Sequence, residues 1–91
     1  MTSLHIQVRI NDLSAWKVGF ADHADARQKA GVRAESVRHP IGDESTLVVD
    51  LDFGSEAEAR SFLGYLRENV WKDQPILAAP PEVAILEPLD A

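Results

Sequence analysis

The sequence predicts an α+β fold of order β-α-β-β-α-β: a four-stranded antiparallel sheet with both helices on one face. Three observations predict it. Residues 4–10 and 45–53 alternate apolar and polar side chains with the period of a half-buried strand. The stretches that begin at Leu13 and Ser55 instead repeat their apolar residues at helical spacing. Turn chemistry at Gly42–Asp43 joins the two middle strands as a hairpin. Short chains with this element order adopt the ferredoxin-like plan, and residues 1–91 are expected to form one such domain.

In the first strand Leu4, Ile6, Val8 and Ile10 share one face, and His5, Gln7 and Arg9 share the other. Asn11-Asp12 ends it, and Asp12 can cap the helix that follows. Leu13, Trp16, Phe20, His23, Ala24 and Arg27 fall within one stripe of that helix, which is expected to run on to Gly31. Glycine suits the left-handed residue that closes a helix. Residues 32–39 form a second, less regular strand, and residues 40–44 turn. In the third strand Leu47, Val49, Leu51 and Phe53 oppose Thr46, Val48, Asp50 and Asp52. Ser55 and Glu58 make a capping box for the second helix, whose core stripe is Ala59, Phe62, Leu63, Leu66 and Val70 and whose end lies between Asn69 and Trp71. Residues 72–81, with Pro75, Pro80 and Pro81, are irregular, and residues 82–87 form the last strand. The sheet face away from the helices leaves His5, Gln7, Arg9, Thr46, Val48, Asp50 and Asp52 to meet water or a polar partner.

Composition narrows the function. With 9 Lys+Arg against 15 Asp+Glu the net charge is −6, which disfavours nucleic acid and anionic membranes as partners. The sequence has no cysteine, hence no disulfide frame, thiolate metal site or cysteine nucleophile. No apolar run approaches the ~20 residues of a membrane span, so a cytoplasmic protein is expected. The glycines form no phosphate-binding motif, and the histidines lack metal-ligand spacing. No metal is therefore expected. The open face of the third strand also lacks the aromatics of an RNA-binding sheet.

The run Trp16-Lys17-Val18-Gly19-Phe20-Ala21-Asp22-His23, with Ala26-Arg27, Gly31-Val32 and Ser55-Glu56-Ala57-Glu58-Ala59-Arg60-Ser61-Phe62-Leu63, resembles the dimeric α+β barrel superfamily. That superfamily includes the antibiotic-biosynthesis monooxygenase-like proteins, some polyketide cyclases and many small uncharacterised bacterial proteins. The resemblance implies a homodimer with sheets face to face and ligand pockets between each sheet and its helices. For oxygenases of this type it implies no cofactor, because the substrate supplies the electrons. The haem-degrading members pair an Asn and a Trp with a late axial His. Here Asn69 and Trp71 lie close together, and His5, His23 and His39 all precede the second helix, so the expected haem ligand is missing.

Within this frame His23 is the candidate general base, one helical turn from Phe20 and four residues before Arg27. The opposing reading is a helix-border histidine that reaches water. Trp16, Phe20, Phe62, Tyr65 and Trp71 can line a site for a flat aromatic ligand, or Trp16, Phe20 and Phe62 can simply pack the core. Both Tyr65 and Trp71 lie off the stripe, where Tyr65 can instead be a surface or dimer residue and Trp71 a pocket wall or an interface anchor. Arg27 can bind a carboxylate or enolate oxygen, or lay its stem on apolar surface with its head in solvent. Asp50 and Asp52 lack a third ligand and are read as cross-strand ion pairs. Two functions follow: a cofactor-independent oxygenase or cyclase-like enzyme acting on a small aromatic or polyketide-like ligand, or a non-catalytic dimeric module that binds a small molecule or another protein. A cavity of about 300 Å³ or more beside His23 and an aromatic favours the first, a filled core the second.

Overall fold

The computed structural model describes residues 1–89. Strand β1, Thr2–Arg9, pairs antiparallel with β3, Thr46–Phe53, on one side and with β4, Glu82–Leu86, on the other. Strand β2, Ala34–Arg38, pairs antiparallel with β3, so the sheet order is β2-β3-β1-β4. The alternation behaves as expected. Leu4, Ile6, Val8, Leu47, Val49, Leu51 and Phe53 are all buried on the helix side.

The connections follow local chemistry. The Asp43 N–H donates to the Pro40 carbonyl at 3.0 Å, and Gly42 sits at φ 87°, the third position of a type II turn, where a side chain would be strained. The Asp12 carboxylate caps helix α1, Leu13–Asp22, by accepting from the Ala15 N–H at 3.0 Å. Ser55 does the same for helix α3, Glu56–Tyr65, accepting from the Glu58 N–H at 3.2 Å. The Ser55 hydroxyl also donates to Glu58 at 3.3 Å.

Two expectations need correction and a third gains a detail. The first helix is not continuous: it breaks at His23 (φ −99°, ψ 15°) into α1 and helix α2, Ala24–Ala30, which closes on Gly31 at φ 97°. Gly19 and the Asp22-His23 pair are weak helix formers. The break also costs little bonding, because the His23 N–H still reaches the Gly19 carbonyl and its own carbonyl still accepts from Arg27. Second, β2 is shorter than residues 32–39 and all of its residues are exposed. Val32 and Arg33 are spent on the connection, donating to the carbonyls of Arg27 and Asp52. Third, the second helix ends where expected, but its last turn, Leu66–Val70, is π-helical, and the Trp71 N–H donates to the Leu66 carbonyl at 2.8 Å. Such turns widen a helix and occur often at functional sites.

The layer above the sheet is uneven. Helix α3 buries Ala59, Phe62 and Leu63, whereas α1 buries no residue at all. Leu13, Trp16 and Phe20 only lean on the core, half-buried. Helix α1 therefore stands off the sheet, and a hollow remains beneath it.

Candidate functional site

The hollow is a cavity of about 110 Å³ between α1, the π-helical turn, the 72–77 segment and the middle of the sheet. Its floor is Ile6, Val8, Val49 and Leu51. Trp16 and Phe20 roof it, their rings stacked at 4.9 Å and 18°. Phe62, Leu66 and Trp71 form the wall on the α3 side. The π-helical turn places Trp71 there by inserting one extra residue before the chain leaves the helix.

Residues 72–81 close one end. The segment is tied to the end of β1: the Asn11 N–H donates to the Ile76 carbonyl at 2.8 Å, and the Ala78 N–H donates to the Arg9 carbonyl at 2.8 Å. Ile10 and Leu77 bridge in antiparallel fashion. These bonds bring Gln74, Ile76 and Leu77 to the cavity. Gln74 is the polar lining residue that sequence reasoning missed. Its placement depends on the tie to β1, which no local pattern signals.

Few polar groups face the cavity, and His23 and Arg27 are the charged or titratable ones. The His23 ring lies at the helix break with Nδ1 2.9 Å from the Tyr65 hydroxyl. Tyr65 does not line the cavity. It stands behind His23, edge-on at 5.9 Å, and stacks on Phe62 at 5.5 Å and 16°. Arg27 is buried, only 7% exposed, so its guanidinium does not reach into solvent. Nε donates to Glu35 at 2.7 Å, Nη1 donates to the Phe20 carbonyl at 2.6 Å, and Cζ lies 3.6 Å from the Phe20 ring centroid. Its charge is thus paired before any ligand arrives. Of the candidate residues, Trp16, Phe20, His23, Arg27, Phe62 and Trp71 come together around one space, and Tyr65 supports it from outside.

The opposite sheet face is polar and internally paired. Asp50 accepts from Arg38 at 2.8 Å and faces His5 Nδ1 at 2.7 Å, and the Ser3 hydroxyl donates to Asp52 at 2.5 Å. Asp50 is therefore the cross-strand ion-pair partner its position on β3 suggested, whereas Asp52 is bonded across the strands to a serine hydroxyl and is in no ion pair among the described residues. Among the described residues no group of three or more His, Cys, Asp or Glu is placed to hold a metal ion, and no helix is long and apolar enough to cross a membrane.

These features define a ferredoxin-like α+β protein with a small aromatic-roofed cavity between sheet and helices. The chain shares this ferredoxin-like α+β fold with solved structures described as antibiotic biosynthesis monooxygenases. A candidate antibiotic biosynthesis monooxygenase from Nitrosomonas europaea superposes with a TM-score of 0.75 at 15% identity, over 99% of this chain and 100% of that one. A mutant of SnoaB, a cofactor-independent oxygenase from Streptomyces nogalater, gives 0.74 at 10% identity, over 99% and 94%. A dimeric ferredoxin-like protein from an uncultured marine organism gives 0.65 at 15% identity, over 93% and 91%. No protein-family model and no curated protein sequence matches the chain. At these identities the likeness is one of fold, and fold alone does not carry function.

Proposed function

We propose that residues 1–91 act as one domain, that two copies form a cytoplasmic homodimer through their polar sheet faces, and that each holds a small aromatic or polyketide-like ligand beneath α1. The observation that carries this reading is the juxtaposition of His23 with the Trp16–Phe20 roof in a cavity whose other lining is apolar apart from Arg27 and Gln74. The neighbours support it by kind: one is described as a cofactor-independent oxygenase and another as dimeric. In the enzymatic form His23 removes an acidic phenolic or enolic proton, and the resulting carbanion reacts with O2. For an activated methylene, both C–H bonds give way to one C=O bond. One atom of O2 enters the substrate, and the other leaves as water with the two hydrogens. The methylene supplies all the electrons that reduce O2, and no cofactor is required. The aromatic walls exclude water and hold the ring in place.

Arg27 restricts the ligand. Because Glu35 and the Phe20 carbonyl already hold its guanidinium, a carboxylated ligand would find no free cation there. The reading therefore favours neutral phenols and enols. The volume restricts it further. At about 110 Å³ the cavity falls short of the ~300 Å³ of a drug-sized site and is nearer the ~150 Å³ that takes benzene. A single ring is the natural occupant unless α1 lifts. That same small volume is the observation favouring the second reading, a non-catalytic binding module.

A thermal-shift screen of single-ring phenols and matched benzoates, followed by O2 uptake on the binders, tests the proposal. Phenols should raise the melting midpoint, since a ligand of the native state alone stabilises it. Uptake should vanish in His23→Ala while binding persists. Binding without uptake would leave the module. No binding at all would overturn the enzyme and the small-molecule module and leave only a protein-binding module.

A further inference from the structure

We propose that Gly19 is a specificity-determining residue of the cavity: the side chain it lacks leaves the space that a planar ring occupies beside His23. The proposal deepens, and rests on, the reading of the cavity as a ligand site. Gly19 is costly where it stands. It is the seventh of the ten residues of α1, and a glycine inside a helix weakens it relative to alanine. The usual reasons to keep one are absent. Its φ is not left-handed, because the glycines with positive φ are Gly31 and Gly42. No close approach requires it either. Among the described residues, a β-carbon at position 19 would meet nothing within 4 Å beyond its own helix backbone and its chain neighbours. Gly31 and Gly54 differ: there a β-carbon would collide with the Glu58 carboxylate and the Arg33 guanidinium.

The open space at Gly19 is the cavity. Gly19 lines it, and without a side chain it does so with its backbone alone. Ala15 and His23, each one turn away, line it too. Side chains four apart on a helix lie on one face. The His23 N–H donates to the Gly19 carbonyl at 3.2 Å, which keeps that spacing up to the helix break. A β-carbon at 19 is thus directed between two residues that already face the hollow. The inner side of α1 is a shallow strip, Ala15 and Gly19, that runs to His23. The stacked rings of Trp16 and Phe20 lie alongside it.

Bare backbone at this point selects a flat ligand. A ring can lie against the helix at Gly19, where a β-carbon would hold it off, and its oxygen substituent then falls one turn along, at His23. In a cavity of about 110 Å³ the volume of one methyl group decides what fits. One methylene more or less in an apolar pocket changes affinity about 10–200-fold. Gly64 supplies the contrast. It also sits in a helix and would meet nothing within 4 Å among the described residues, but it is exposed and lies outside the cavity. The space beside Gly64 is solvent, and a side chain there has no ligand to displace.

Phenol titrations followed by amide NMR, with a urea melt of each variant, test this. Gly19→Ala removes a helix glycine without crowding a neighbour, so its urea midpoint should rise by about 0.3–0.7 M. Its phenol affinity should fall about tenfold. Gly19→Leu, with a helix propensity close to that of alanine, should bind no phenol. Gly64→Leu should bind phenol like the unmodified protein. A purely structural role for Gly19 predicts a lower midpoint in Gly19→Ala. That result, or a Gly19→Leu that binds phenol as the unmodified protein does, overturns the proposal and leaves the ligand site standing. Equal losses in Gly19→Ala and Gly19→Leu also overturn it, because they report a stiffer α1 and not a filled space. An unmodified protein that binds no phenol removes the ligand site, and this proposal with it.

Discussion

Replacing Phe62 with Ala should be far more damaging than replacing Phe20, although the amphipathic pattern treats them alike. Phe62 is 3% exposed and meets Phe53 at 5.9 Å and Tyr65 at 5.5 Å between ring centroids. Truncating a buried phenylalanine costs about 3–5 kcal/mol, and the two lost aromatic pairs place Phe62 toward the upper end of that range. The total stability of a domain this size is about 5–14 kcal/mol, so a third or more of it is at stake. Phe20 is half-buried on a helix that buries nothing. Its removal gives up partial burial, the stack on Trp16 and the face beneath Arg27, about 1–2.5 kcal/mol together. Urea melts at fixed pH check this. With a slope of about 1.5 kcal/mol/M, Phe62→Ala should lower the midpoint by about 2.7–3.3 M and Phe20→Ala by about 0.7–1.7 M. A Phe20→Ala loss equal to or greater than that of Phe62→Ala would refute the placement of α1 as a loosely attached roof.

The Asp43 carboxyl lies below its ordinary value of 3.8, first because the Ser45 hydroxyl donates to it and then because the Ser45 N–H does. A depressed native pKa adds stability above the unfolded value and loses it as pH falls through the native value. Asp43→Asn should therefore be less stable than the parent at pH 7, and the two urea midpoints should converge as the pH drops below the ordinary carboxylate range. Light scattering at micromolar concentration should give twice the 10.0 kDa chain mass, and a mass of one chain would remove the homodimer. Amides of residues 76–78 should be protected in hydrogen exchange, because Ala78 donates to the Arg9 carbonyl and Leu77 to that of Gln74. Free-peptide rates there would detach the segment from the cavity.

The sequence by itself determined the alternation of strands with two helical regions, the buried faces of β1 and β3, and the two helix caps. Each is a local property: side-chain periodicity, a capping hydroxyl or carboxylate, a glycine where φ must be positive. Tertiary structure decided the rest. Whether Phe20 packs the core or roofs a hollow depends on how closely α1 approaches the sheet, and a hydrophobic stripe has the same pattern in either case. The fate of Arg27 turned on Glu35, a residue of the exposed edge strand that its own helix gives no reason to expect. Tyr65, off the apolar stripe, gained its place from His23, 42 positions away in the chain. Periodicity reports which side of an element is buried. It holds no information about the distance to what lies opposite, and both a cavity and a hydrogen-bonded pair are made of such distances.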